Sequence, residues 1–110
     1  MRMRIISPLL IFLAPDPDRI LEAVANLYKV RIDNLHISRR GYFNEARNVA
    51  IYLMMRLRGD TLNVVGEVFG INKNSTVSSC VDRVKYEMSR DKGIRLRVEG
   101  LITILTNSQT

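Results

Sequence analysis

The residues best suited to binding chemistry are short polar side chains gathered at the start of one predicted helix. They are Lys73, Asn74, Ser75 and Thr76, with Ser79 one turn further on. An ammonium, an amide and three hydroxyls at a helix N-terminus can form hydrogen bonds with nucleic-acid base edges and phosphates. The alternative is structural, because Ser, Thr and Asn at a helix start often serve only as caps.

Four more candidates lie in and just after a predicted loop over Ile37 to Asn44, ISRRGYFN. Arg39 and Arg40 are adjacent in this loop, and Arg47 and Asn48 fall on the first turn of the helix that follows. A paired arginine beside a helix start is well placed to contact phosphates or to enter a DNA minor groove. The alternative is a solvated basic loop.

Nucleophilic and metal chemistry have little support in this chain. It contains one cysteine and one histidine, so neither an internal disulfide nor a zinc site of usual spacing can form. Cys80 falls on a predicted buried stripe, and His36 has no second histidine for a paired-His metal site. We therefore expect no catalytic residue, no metal, no cofactor and no small-molecule substrate.

Composition favours a soluble domain with a polyanionic partner. The 110 residues carry a formal net charge of +6, and the sequence pI is about 10.0. Charge alone does not separate DNA from RNA or from anionic lipid. Aromatic residues make up only 6% of the chain, without a tryptophan, which disfavours the aromatic stacking platforms that bind single strands.

The first fourteen residues, MRMRIISPLLIFLA, begin with two arginines and continue as an apolar run. The run has some features of a signal peptide, but Pro15 after Ala14 is a poor cleavage context. It is too short to span a bilayer as a helix. We expect it to pack on the helical core or to come from a longer protein, and we expect the chain to be cytoplasmic.

Helix-spaced apolar residues and capping residues then predict the first elements. Asp16 as N-cap and Pro17 at the first helical position begin a helix that runs to about Lys29. Asp33 begins a short turn that ends near His36. The sequence contains no internal repeat. No stretch alternates polar and apolar residues convincingly enough to predict a sheet.

The middle of the chain predicts a buried helix followed by a shorter one. Asn44 caps the first of these helices, and Gly59 ends it. Thr61 caps the second helix, and Gly70 supplies the left-handed residue at which the chain reverses. This second helix is the first half of a predicted helix-turn-helix motif.

The second half is a longer helix capped by Asn74 or Ser75. Its buried stripe and its exposed face follow from helical spacing. The stripe comprises Val77, Cys80, Val81, Val84 and Met88, and the exposed face comprises Ser75, Ser79, Asp82, Arg83 and Tyr86. Ser89 to Gly93 breaks the pattern, and Asp91 caps a last helix that leads to a fraying tail from Thr106.

These elements predict an all-α fold, a small helical bundle of about five helices. We expect the domain to cover residues 16–106, with an apolar segment of uncertain role at 1–15 and a polar tail at 107–110.

Over about Ile20 to Leu105 the chain resembles the C-terminal DNA-binding domain of the bacterial replication initiator DnaA. The resemblance rests on the runs ISRRGYFNEARNVAIYL and GINKNSTVSSCVDRV. The run RNVAIYLMMRLRGDTLNVVGEVFG closely resembles the version of this domain at the C-terminus of REP-associated transposases. The resemblance implies the Trp-repressor-like helix-turn-helix fold of DnaA domain IV.

The family's turn has the form Gly-Gly-Arg-Asp-His-Thr-Thr-Val, in which Asp and His contact base edges. Lys73 and Asn74 stand in those two places, Ser75 replaces the first Thr, and Thr76 matches the second. The family's target sequence therefore does not carry over, because an ammonium cannot accept a hydrogen bond.

Arg47 matches the family's phosphate-contacting Arg, and Asn48 takes the place of the amide beside it. Arg39 and Arg40 lie in the loop that reaches the minor groove in the family. The chain has neither a phosphate-binding Gly-x-x-x-x-Gly-Lys loop nor a His-apolar-His pair, so neither initiator ATPase nor transposase nuclease activity is expected.

Together these features predict a domain that binds double-stranded DNA and is not an enzyme. The second helix of the motif would enter the major groove, while the basic loop and the Arg47 turn hold the backbone or minor groove. The alternative is a helical protein–protein interaction module with an acidic partner. Binding of the first fourteen residues to an anionic membrane is less favoured, since they lack an amphipathic stripe. Target site, oligomeric state and biological process stay open.

Overall fold

The computed structural model describes residues 14–37 and 43–107, which fold as a bundle of five α-helices with no strand. The helices are α1 (Pro17–Tyr28), α2 (Glu45–Leu53), α3 (Leu62–Phe69), α4 (Asn74–Arg90) and α5 (Lys92–Asn107), with a 3₁₀ turn at Ile32–His36 and a π-helical turn at Met54–Arg58. The predicted all-α, five-helix fold is confirmed. No helix in these ranges has the length and apolar character needed to cross a bilayer.

Side-chain caps begin three of the five helices, at the residues that the sequence predicts. The Asn44 side chain accepts a hydrogen bond from the Arg47 backbone N–H at 3.0 Å, and this cap begins α2. Thr61 caps α3 in the same way, accepting from the Val64 N–H. The Asp91 carboxylate accepts from the first turn of α5. Each cap satisfies backbone donors that a helix start leaves free.

Three details of these elements differ from the predictions. α4 begins at Asn74, and neither Asn74 nor Ser75 caps it; the N-cap residue is Lys73, whose side chain makes no capping hydrogen bond. The break before α5 is shorter than Ser89 to Gly93, because α4 continues to Arg90 and Asp91 alone separates the two helices. The helix from Asn44 does end at Gly59, but its last five residues form the π-helical turn.

α2 is the central helix, packing against α1, the 3₁₀ turn and α4. Its apolar side chains are fully buried on more than one face, and so is the first residue of the π-helical turn: these are Val49, Ala50, Ile51, Leu53 and Met54. A helix that is apolar around most of its circumference belongs inside a bundle. α2 therefore fixes the positions of the elements around it, including α4.

A polar contact ties α1, α2 and α5 together at one end of α2. Glu45 accepts hydrogen bonds from the Tyr28 hydroxyl and from Arg97, whose Nε lies 2.9 Å from the carboxylate. Burial and the hydrogen bond to Glu45 raise the pKa of Tyr28. The three residues lie 17 and 52 positions apart in the chain, so this contact forms only in the assembled bundle.

Candidate nucleic-acid interface

The turn between α3 and α4 is tightly constrained. Gly70 adopts a φ of +70°, and the Ile71 N–H donates to the Gly66 carbonyl at 2.8 Å. A Cβ on Gly66 would lie 2.7 Å from the Ile71 carbonyl oxygen, closer than real atoms approach. Only glycine at Gly66 allows the turn to lie this close to α3, so the direction in which α4 leaves the turn is fixed by backbone packing.

The start of α4 presents the predicted polar residues to solvent. All five of them are exposed: Lys73, Asn74, Ser75, Thr76 and Ser79. The opposite side of the same helix is buried through Val77, Cys80 and Val84. The Thr76 N–H donates to the Lys73 carbonyl at 3.0 Å, and no side chain caps the helix start, which leaves the Asn74 and Ser75 N–H groups uncapped. This surface can offer both side-chain and backbone hydrogen bonds to an anionic partner.

Arg47 and Asn48 lie beneath α4 rather than on an open surface. Each is 7% exposed. The Arg47 Nη1 donates to Asn48 Oδ1 at 3.4 Å and to the Cys80 Sγ of α4 at 3.8 Å. The Arg47 Nε is buried without a hydrogen-bond partner. A buried guanidinium that lacks one acceptor is an unusual feature, since buried polar atoms are nearly always paired.

Further along α4, Arg83 is held from two directions. Its guanidinium lies over the Phe43 ring, 4.4 Å from the ring centroid, and its Nε donates to Glu87 at 2.8 Å. Stacking and a carboxylate contact restrict the orientation of an arginine that is itself exposed. Phe43 lies two residues before α2, next to its N-cap Asn44, so this contact joins the entry of α2 to one flank of α4.

The base of the predicted basic loop is closed by Asn44. Its Nδ2 donates to the carbonyl oxygens of Asn34 and Ile37, at 2.8 and 3.3 Å. The loop residues Arg39 and Arg40 lie outside the described ranges. What the structure gives is the position of the two loop ends, both held near the N-terminus of α2.

Comparison with known proteins identifies this arrangement. Residues 17–84, more than half of the chain, match the family model described as the bacterial dnaA protein helix-turn-helix. The chain belongs to the DnaA helix-turn-helix family. No solved structure gives a significant match.

Membership in the DnaA helix-turn-helix family indicates a DNA-binding domain with double-stranded DNA as its partner, and it favours a non-enzymatic role. The matched region runs from the start of α1 to Val84 in α4, so it includes the α3–α4 motif and both loop ends. Within the two described ranges, no cluster of three His, Cys, Asp or Glu residues could hold a metal ion. His36 instead packs against Phe69, with ring centroids 5.7 Å apart.

The sequence-based reasoning missed the residues that hold Arg83. Glu87 lies four positions after Arg83, the spacing at which helical side chains meet, so this ion pair was available as a signal. The Phe43 contact was not, because 40 positions separate the two residues and only the crossing of α2 under α4 brings them together. The burial of Arg47 has the same non-local cause.

Proposed function

We propose that this DnaA-type domain binds double-stranded DNA and prefers some base sequences over others, using the N-terminal turn of α4 in the major groove. The observation that carries the proposal is the exposed, uncapped start of α4, where Lys73, Asn74, Ser75, Thr76 and Ser79 face solvent behind a rigid turn. Short side chains allow a helix to approach base edges closely. The uncapped N–H groups of Asn74 and Ser75 suit a phosphate at the edge of the groove.

Base reading is assigned mainly to Asn74. An asparagine amide can bridge the N6 and N7 positions of adenine, whereas Lys73 can only donate, to guanine or to phosphate. Asp and His occupy these two places in the turn of DnaA itself, so the preferred site is expected to differ from a DnaA origin box. Ser75, Thr76 and Ser79 supplement this reading or contact the adjacent phosphates.

Phosphate contacts are assigned to the flanks of α4. Arg39 and Arg40, in the loop, would reach the minor groove or the backbone, and Arg47 and Asn48 would contribute from below the helix. If four to six phosphates are neutralised, the logarithm of the affinity falls against that of salt concentration with a slope of roughly −4 to −5. Arg47 and Asn48 are each only 7% exposed, so direct contact requires a phosphate to approach the few side-chain atoms that they expose.

The biological setting is proposed from the resemblance of the run from Arg47 to Gly70 to the C-terminal domain of REP-associated transposases. Such a domain would recognise a transposon end, either within a longer enzyme or as a free-standing module. Replication control and transcription regulation are the other settings open to a DnaA-type domain. In each case a bacterial protein would meet its DNA in the cytoplasm.

The test is fluorescence anisotropy on a random 20-base-pair duplex and on its separate strands, across a salt series, followed by selection of sites from a random pool. We expect duplex binding that weakens with salt. Asn74→Ala should erase most of the preference among sequences, about 1–3 kcal/mol for one bidentate base contact, while Asn26→Ala on exposed α1 should leave it intact. Absent or strand-indifferent binding would refute the proposal and favour the interaction module with an acidic partner.

A further inference from the structure

A second cationic surface lies on α4, away from the residues considered so far. A shallow groove of about 270 Å³ separates the C-terminal end of α2 from the middle of α4, lined by Tyr52, Met55, Arg56, Val81 and Lys85. This volume lies below the roughly 300–1,000 Å³ of small-molecule sites. The groove is therefore suited to an exposed group of a larger partner rather than to an enclosed small ligand.

Among the described residues, the charged and polar side chains at this groove have no hydrogen-bonding or ion-pair partner. Elsewhere in the described part of the chain, Arg31, Arg58, Arg83 and Arg97 each form an ion pair with an acid. Arg90 and Arg95 donate instead to the Tyr86 hydroxyl and the Met88 carbonyl. Within the same ranges neither Arg56 nor Lys85 makes either kind of contact, and the Tyr52 hydroxyl makes no hydrogen bond. Two cations and one hydroxyl beside a floor of Met55 and Val81 leave an anion as the matching ligand.

The backbone at this groove is also unusual. Met54–Arg58 forms a π-helical turn at the end of α2 and carries two of the groove residues, Met55 and Arg56. Turns of this kind are rare inside helices, and they are often found at functional sites. The turn is thus a second observation, independent of charge, that marks this end of α2.

The groove lies on the flank of α4 opposite the Phe43 contact. Arg83, which stacks on Phe43, and Lys85, which lines the groove, are two residues apart, or about 200° around the helix axis. α2 therefore passes beneath α4 with Phe43 before its start on one side and Arg56 near its end on the other. A helix with its side chains is about 10–12 Å wide, and the major groove of DNA is about 12 Å wide.

We propose that the groove residues Arg56, Lys85 and Tyr52 bind a backbone phosphate of the duplex, on the strand opposite to the one that the Phe43 flank faces. The proposal rests on the proposed function and extends it, because α4 must lie along the major groove beyond its first turn for one strand to run along each flank. It adds a second phosphate-binding flank to the basic loop and the Arg47 turn. α4 is then held from both sides rather than from one.

The test compares salt slopes for duplex binding by Arg56→Gln/Lys85→Gln, Tyr52→Phe and the control Lys92→Gln. Lys92 is exposed and follows the C-terminal end of α4, about 25 Å from its start. The double variant should weaken binding about tenfold and reduce the slope by about 0.9, the value for one phosphate. Tyr52→Phe should weaken binding without changing the slope, since it removes a donor but no charge. Lys92→Gln should change neither quantity.

A neutral-phosphate scan then locates the contact on a duplex selected from the random pool. Replacing single phosphates by methylphosphonates should weaken wild-type binding at positions on both strands. In the double variant one position, on one strand only, should lose its effect. Thermal unfolding checks that the variants fold, and Lys85→Gln alone, on an exposed helix face, serves if the double variant does not.

The outcomes separate the two proposals. Absence of wild-type duplex binding refutes the proposed function, and this site with it. Wild-type binding with a double variant that behaves like Lys92→Gln in slope refutes the groove site alone. Loss of sensitivity on the same strand as the Phe43 flank refutes the strand assignment.

Discussion

Replacing Arg47 by methionine should raise or preserve the stability of the free protein and weaken its binding to DNA. Arg47 is 7% exposed beneath α4, and its Nε has no hydrogen-bond partner. Methionine is similar in length and lacks both the charge and the unpaired donor. The substitution therefore separates the cost of burying the guanidinium from its benefit in a complex.

The structure sets the expected change in the free energy of unfolding. The two hydrogen bonds that Arg47 Nη1 makes, to Asn48 at 3.4 Å and to Cys80 at 3.8 Å, are both long, so little is lost with them. Replacing a buried ion pair by apolar residues of similar volume is often neutral or stabilising by 1–4 kcal/mol. Because only one charge is removed and Asn48 loses a donor, we expect a change between zero and about +2 kcal/mol.

DNA binding should change in the opposite direction. A phosphate would supply the acceptor that the buried guanidinium lacks, and a hydrogen bond to a charged group contributes about 1.5–3 kcal/mol. Arg47→Met should therefore weaken binding to every duplex by about 10- to 100-fold. The salt slope should become shallower by about 0.9, since one phosphate contact is lost.

Urea unfolding measures the first quantity, and anisotropy across a salt series measures the second, with Lys92→Met as the control for loss of a positive charge. The control should leave both quantities close to those of the wild type. A fall in stability of more than about 1 kcal/mol with an unchanged slope would refute the reasoning. Arg47 would then support α4 from below without contacting DNA.

Two other substitutions test the bundle itself. Gly66→Ala should destabilise the protein by about 1–3 kcal/mol in urea unfolding and weaken DNA binding, because the new Cβ would lie 2.7 Å from the Ile71 carbonyl oxygen. The control Gly100→Ala, which has open space around it, should leave the stability unchanged or raise it. The raised pKa of Tyr28 means that its proton is held more tightly in the folded state, so the free energy of unfolding should fall as pH rises above about 10. Tyr28→Phe leaves Glu45 paired with Arg97 and should reduce that fall. Similar pH profiles of stability for the two proteins would exclude Tyr28 as the cause.

Helix number and most helix ends could be predicted because they depend on neighbouring residues. Asn44, Thr61 and Asp91 cap helices through atoms two or three positions away, and Gly70 supplies its left-handed φ alone. The start of α4 was predicted wrongly because the prediction assumed that a side chain caps it. The packing of the turn against Gly66 sets where that helix begins, so no capping side chain is required there.

The parts of the site that could not be predicted depend on how α2 crosses α4. Arg47 meets Cys80 across 33 positions, and Phe43 meets Arg83 across 40. The sequence marks all of these residues as polar or apolar, but their spacing along the chain carries no information about the crossing. The π-helical turn likewise has no glycine or proline within Met54–Arg58 to announce it.

The crossing assigns different tasks to the two helices in the proposed complex. α2 with its π-helical turn is a rod of about 21 Å that places Phe43 and Arg47 toward one flank of α4 and Arg56 on the other. These residues act at the DNA phosphates, Phe43 through Arg83, and do not contact bases, so their substitution should alter affinity and its salt dependence. The first turn of α4 meets base edges, so its substitution should alter preference. In the proposed complex the crossing of α2 and α4 holds the cations beside the DNA strands and the amide of Asn74 above the groove floor. We therefore expect some variants to change affinity without changing sequence preference, and others to do the reverse.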